Sequence, residues 1–254
     1  MTQFLRFFSF TLISIGIFSF ISPFSIISSE RIASSLIPTH QKFAKKKKNK
    51  PMKRVEIDAI ETTNLPEPYN LINILPEDPF GHYVNQKEIA DIFEKNNIQI
   101  AIEIGSWIGG GSTRDFATRL KKRGGILYSV DTWLGNEEQQ IGQVWYQPIL
   151  SQVYQQFLSN MIHWGLTSTV IPMKMTSLEA SHLLLVKPDL IYIDGDHTTE
   201  AVYEDLTAWY PFVKNQGILC GDDWTWPSVR IAVEQFATEN NLSIESTYNF
   251  WRLH

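Results

Sequence analysis

The sequence predicts an α/β fold, a doubly wound and mostly parallel sheet of seven strands, and three observations lead there. Short β-branched runs recur between longer amphipathic stretches, glycine or aspartate closes most of the runs, and they lack polar alternation, as strands covered on both faces do. The first five strands are "IQIAIEIG" (98–105), "GILYSVD" (125–131), "STVIPM" (168–173), "DLIYID" (189–194) and "GILCGDD" (217–223). Between them the periodicity predicts helices over 112–122, 148–164, 178–185 and 198–213, the second with Ile149, Val153, Phe157 and Met161 along one side. Pro227 opens a further helix on which Val229, Val233 and Phe236 share a face, and "LSIESTY" and "FWRLH" supply two closing strands. Residues 66–97 and 134–148 show no regular pattern and are expected to shape specificity. A fold of this kind collects its ligands at the carboxyl ends of the strands.

Length and composition set the organisation. At 254 residues and 43% hydrophobic content the chain holds one full core, expected over 66–254, preceded by an apolar segment at 1–29 and a basic, polar linker at 30–65. Residues 1–54 carry ten Lys/Arg against Glu30 alone, so the remaining 200 residues carry a net charge of −14. An acidic body of that kind argues against a nucleic-acid groove, which needs clustered basic side chains. The lone Cys220 excludes an intramolecular disulfide. Residues 7–29 contain no charged side chain, and 23 helical residues at about 1.5 Å each reach across a hydrocarbon core about 30 Å thick. Eight Lys/Arg lie between Lys42 and Arg54, a run that stays on the cytoplasmic side and attracts anionic lipid. The expectation is a membrane anchor with the domain in the cytoplasm. Arg6 before a serine-rich apolar run also describes a cleaved signal peptide, which would place the domain outside.

Two strand ends carry ligand-binding chemistry. The first strand runs into "EIGSWIGGGST" (103–113), where glycines permit a tight turn and close backbone approach. The loop has no lysine after its glycines and has Trp107 where a dinucleotide-binding loop has its second glycine. Asp131, closing the second strand, is placed to accept both hydroxyls of a ribose. Together these features point to an adenosine ligand without a pyrophosphate.

In this order "AIEIGSWIGGGST", "YSVDTWLG", "DLIYIDGDHTTEAVYEDL" and "GILCGDDW" resemble the class I S-adenosylmethionine-dependent methyltransferases, a Rossmann-like family, over about residues 80–254. The likeness is to the branch related to catechol, caffeoyl-CoA and macrocin-type sugar O-methyltransferases. The resemblance implies that Glu103, Gly105, Ser106, Trp107 and Gly109 belong to the loop around the methionine end of S-adenosylmethionine and that Asp131 holds the ribose. It further implies that Thr132 and Trp133 flank the adenine, that Ser177 approaches it from the third strand's loop, and that Asp194 borders the cofactor. Glycines at 109, 110 and 111 depart from relatives, which more often have two before the Ser/Thr.

The acidic cluster has its own logic. Carboxylates gathered at strand ends repel one another in a low-dielectric cleft unless a cation sits between them. Asp194 closes the fourth strand and Asp222 and Asp223 the fifth, so on neighbouring strands about 4.8 Å apart they are expected to share one hard divalent ion, Mg2+ by preference. Relatives that depend on metal place ligands at these positions, although catechol-type enzymes have Asp-Asn where this chain has Asp222 and Asp223. The resemblance also sets His197 where catechol-type enzymes have a lysine base, with Asp196 the competing base by analogy to the sugar-modifying relatives. His82, His163 and His182 read as ordinary structural or loop histidines, and Trp224 and Trp226 as either core or pocket wall. The expected activity is methyl transfer to a hydroxyl of a small molecule, a sugar or a phenol. Two alternatives stand beside it, a hydroxylase of similar fold resembling the cephalosporin type and a non-catalytic membrane-tethered binding module. The sequence is silent on oligomeric state.

Overall fold

A computed structural model of the chain describes residues 64–135, 150–213 and 216–254, all of them within a unit spanning Ile57–His254. The apolar segment, the basic run, nearly all of the linker and residues 136–149 lie outside the described residues. Among the described residues no helix is long and apolar enough to cross a membrane.

The strands are β1 (Ile100–Ile104), β2 (Ile126–Asp131), β3 (Val170–Lys174), β4 (Leu190–Ile193), β5 (Ile218–Gly221), β6 (Ile244–Thr247) and β7 (Phe250–Leu253). The helices are α1 (Gln86–Lys95), α2 (Ser112–Lys121), α3 (Val153–His163), α4 (Ser177–Leu183), α5 (Thr199–Val213) and α6 (Pro227–Asn240). The strands form one seven-stranded sheet in the order β3-β2-β1-β4-β5-β7-β6. Pairings from β3 through β5 are parallel, and β7 runs antiparallel to both β5 and β6. The predicted strands and the helices that follow them all appear, trimmed by one or two residues at most ends. The helix expected from residue 148 begins at Val153, after a 3-10 turn at Leu150–Gln152.

Side-chain alternation divides the core between the two faces. Ala101, Leu127, Leu190 and Tyr192 point toward α1, α2 and α3, whereas Ile102, Val130, Ile191 and Leu219 point toward α5 and α6. With both faces covered, every residue of β4 and β5 is buried. Asp189 fixes the register at the other end of the sheet, its Oδ2 accepting the Gln99 and Ile100 N–H groups at 2.8 and 2.9 Å. Strand order reverses between β1 and β4, and in open sheets of this kind ligands bind above the carboxyl ends of the strands at such a reversal.

Helix α1 lies in the region where the sequence showed no pattern. Its buried Ile89, Ile92 and Phe93 follow three- and four-residue spacing, and Asn85 stands at its N-cap without capping it. That side chain is used elsewhere.

Candidate active site

At the head of β1, Glu103 is fully buried, and its Oε2 accepts hydrogen bonds from Thr113 Oγ1 at 2.6 Å, Ser106 Oγ at 3.1 Å and Ser129 Oγ at 3.3 Å. Burial pushes its pKa up to about 7, although the hydroxyls of Ser112, Thr113, Ser106 and Ser129 favour the charged form. Its other oxygen, Oε1, is buried without a well-formed hydrogen bond. An orphaned carboxylate oxygen at a strand end is suited to an ammonium group.

The loop beyond is shaped by what crosses it. Gly105 has φ +85, and a Cβ there would lie 1.9 Å from the Asp194 carbonyl oxygen. Glycines 109 to 111 serve the protein's own packing. A Cβ on Gly109 would lie 2.5 Å from Met161 Cε on α3, and one on Gly110 would lie 1.9 Å from the Phe80 carbonyl oxygen. The close approach predicted for a ligand is thus, at Gly109 and Gly110, an approach of α3 and of the chain at residues 79–83. Trp133 also departs from expectation. It is 2% exposed, packs against Tyr154 and Phe157, and donates from Nε1 to the Trp107 carbonyl at 2.6 Å, which leaves almost none of its surface for an adenine.

Asp131 is held by backbone. Its Oδ2 accepts the N–H groups of Ser106 and Trp107, each at 2.9 Å, and its Oδ1 that of Trp133 at 2.7 Å. Burial raises its pKa, and these amides partly offset the rise. Half-buried Thr132 follows, with Oγ1 accepting from Leu134 N at 3.3 Å.

Ser177 starts α4 behind a capping box made by Thr176 and Glu179. Its hydroxyl accepts from Trp209 Nε1 at 2.8 Å and donates to Asp205, a buried carboxyl on α5 beneath the Gly195 turn. Burial drives Asp205 up to about 7, opposed by the Ser177 hydroxyl and reinforced by Glu204 and Asp196. Its folded pKa lies above the unfolded value, so its stabilisation is complete below the unfolded value of 3.8 and is lost as pH rises through about 7. Asp205→Asn is therefore expected to flatten stability against pH, removing on the order of 2 kcal/mol of the loss between about pH 5 and 8. Denaturant midpoints that fall equally with pH in both proteins would show that Asp205 does not titrate in this window.

The acidic centre gathers above β4 and β5. Asp194, His197 and Asp223 each offer a ligand atom within 4.8 Å of the others. His197 Nε2 lies 2.8 Å from Asp223 Oδ2, and Trp226, 40% exposed, lies against the imidazole at 4.6 Å between ring centroids. Asp194 has its pKa raised well above the usual carboxylate range by burial first and then by the charges of Asp222, Asp223, Glu103 and Asp131. For Asp223 burial would raise the pKa, but the bond and charge of His197, the Asn249 amide and the charge of His82 outweigh it and hold the carboxyl low. The residue adopts φ +60, a left-handed conformation that aspartate tolerates better than most.

Asp222 stands apart from that group. It is 3% exposed, and its Oδ1 accepts from Asn249 Nδ2 at 2.7 Å, Asn85 Nδ2 at 2.9 Å and the Asp223 N–H at 2.8 Å. Asp196 turns one oxygen back to the Thr198 N–H at 2.8 Å at the entry to α5. Sequence reasoning missed Asn85 and Asn249, which hold the β5 end from α1 and the β6–β7 turn. A polar residue at a helix start ahead of Ile89, Ile92 and Phe93 was the available signal for Asn85. His163 is structural, with Nε2 2.8 Å from the Leu75 carbonyl oxygen.

Residues 102–224 match the family described as "Methyltransferase domain". No curated protein matches the sequence significantly. Among solved structures, a Staphylococcus aureus protein assigned as a caffeoyl-CoA O-methyltransferase superposes with a TM-score of 0.52 at 15% identity, covering 72% of this chain and 86% of its own. The O-methyltransferase NovP superposes at 0.51 with 16% identity, over 67% of this chain and 77% of its own. A Klebsiella pneumoniae protein assigned as an O-methyltransferase gives 0.51 with 17% identity, over 66% and 78%. These likenesses establish the fold. Residues 102–224, from within β1 to just past the end of β5, thus form a methyltransferase domain, and the seven-stranded sheet with β7 antiparallel that carries it has the fold of the class I S-adenosylmethionine-dependent methyltransferases.

Proposed function

We propose that the chain is a divalent-metal-dependent O-methyltransferase that transfers the S-adenosylmethionine methyl group to a hydroxyl of a small molecule, a sugar or a phenol. The observation that carries the reading is the convergence of Asp194, His197 and Asp223 at the end of β4 and β5, next to the end of β1 that carries Glu103. The residues fit the cofactor. Glu103 Oε1 is an unfilled acceptor for the ammonium, and the Asp131 carboxylate, fixed by three backbone N–H groups, retains lone pairs for ribose hydroxyls. Bound S-adenosylmethionine supplies the methyl group on a sulfonium, already activated for in-line transfer. A divalent ion held at the acidic centre would supply a Lewis acid able to lower the pKa of an acceptor hydroxyl.

The protein's own part is placement and proton handling. Asp194 reaches both sites, because its backbone N–H is bonded to the Ile104 carbonyl at 2.8 Å, one residue before the Gly105 turn. Asp196 and His197 are the two groups near the centre able to take the hydroxyl proton. Trp226 offers an exposed aromatic face for a sugar ring or an aryl group beside His197. The full chain incubated with S-adenosylmethionine labelled at the methyl carbon, a small-molecule extract and a divalent ion is expected to label an acceptor. Chelation with EDTA should abolish that turnover and leave cofactor affinity within about threefold. Undiminished labelling in EDTA would exclude the ion from the reaction.

From the 23 uncharged residues at 7–29 and the basic run that follows, we also infer that the domain is tethered at the cytoplasmic face of a membrane. Alkaline carbonate should leave the intact chain in the membrane pellet. A soluble chain shortened by about 29 residues would instead support the signal peptide.

A further inference from the structure

The geometry points to His197 as a metal ligand rather than a free base, so that the centre is a two-carboxylate, one-imidazole site selecting Mn2+ over Mg2+. This rests on the proposed metal dependence and goes beyond it by assigning the ligand set and the preferred ion. An octahedral ion with ligands at about 2.1 Å sets neighbouring donors about 3.0 Å apart and opposite donors about 4.2 Å apart. The Asp194, His197 and Asp223 donors, all within 4.8 Å of one another with the closest pair at 2.8 Å, already have nearly that spread.

Asp222 offers no atom to the group. Its Oδ1 is taken up by three N–H donors, from Asn85, Asn249 and the Asp223 backbone, and neither of its oxygens is among the donor atoms that converge with Asp194, His197 and Asp223. The corner expected for Asp222 therefore falls to the imidazole. Trp226 against its ring limits how the imidazole can turn, and a metal ion at Nε2 would take the place of the proton now shared with Asp223 Oδ2. Mg2+ favours an all-oxygen shell, whereas a site containing imidazole binds transition ions more tightly.

The test uses the full chain loaded with Mn2+ and examined by electron spin echo envelope modulation. Nitrogen-14 modulation from a directly bound imidazole is expected in the wild type, which needs no variant to be informative. His197→Gln should remove the modulation and weaken Mn2+ binding about 10-fold or more. In competition titrations the wild type should prefer Mn2+ to Mg2+ by at least about tenfold, and His197→Asp should shrink that ratio. Mn2+ bound without nitrogen coupling would overturn the assignment while leaving the metal-dependent reading intact. Failure to bind Mn2+ at all would overturn both.

Discussion

Asp131→Asn is expected to weaken binding of S-adenosylhomocysteine by about 100-fold, or on the order of 3 kcal/mol. The replacement is nearly isosteric, yet it turns one acceptor oxygen into a donor. In the native protein both oxygens already face backbone donors, Ser106 and Trp107 on Oδ2 and Trp133 on Oδ1. Whichever way the amide is turned, an N–H confronts an N–H, and the loop leading to Trp107 loses its anchor. The ribose loses a charged acceptor in the same step. Calorimetric titration separates this from general damage if the variant's thermal midpoint stays within a few degrees of the wild type. A loss smaller than about threefold would remove Asp131 from the cofactor site.

Gly105→Ala is expected to be the most damaging single-methyl change, costing on the order of 3 kcal/mol of stability and abolishing cofactor binding. The added Cβ would meet the Asp194 carbonyl oxygen at 1.9 Å, its carbon at 2.6 Å and Gly195 Cα at 2.8 Å. All three are backbone atoms, and β1 and β4 are paired up to Ile104 and Ile193 immediately before them. Relief requires the ends of β1 and β4 to part, which draws the loop at Gly105 and Ser106 away from Asp194. Gly124→Ala is the control, since Gly124 has φ +68 and nothing within 4 Å of the new methyl. It should cost only the left-handed backbone penalty, about 1 kcal/mol. Equal denaturant midpoints for the two variants would contradict the close-approach explanation.

The strands were legible because burial on both faces leaves an unmistakable residue bias. "LIYI" and "ILCG" hold no charged residue, and all eight positions are buried. The acidic strand ends were legible for the complementary reason, since charge placed directly after such runs has to surface at the sheet edge. What the sequence did not disclose is how neighbours divide the work among Asp194, Asp222 and Asp223. Asp222 and Asp223 are adjacent along the chain, but the left-handed turn at Asp223 sends one toward Asn85 and Asn249 and the other toward His197. That partition depends on long-range partners in α1 and in the β6–β7 turn. Trp133 misled for a similar reason, because an aromatic residue after Asp131 suits either an adenine or the core, and Tyr154 and Phe157 on α3 make it core. Helix α1 was overlooked amid irregular flanks, although its apolar spacing was present.

The central claim is that a divalent ion and the sulfonium of S-adenosylmethionine bind side by side at the ends of β1, β4 and β5. Proton relaxation of the cofactor's S-methyl group in the Mn2+-loaded protein measures that adjacency directly. Strong paramagnetic broadening of the methyl resonance, abolished by EDTA and absent in Asp194→Asn, is the expected result. A bound cofactor whose methyl signal relaxes no faster with Mn2+ than without it would contradict the account.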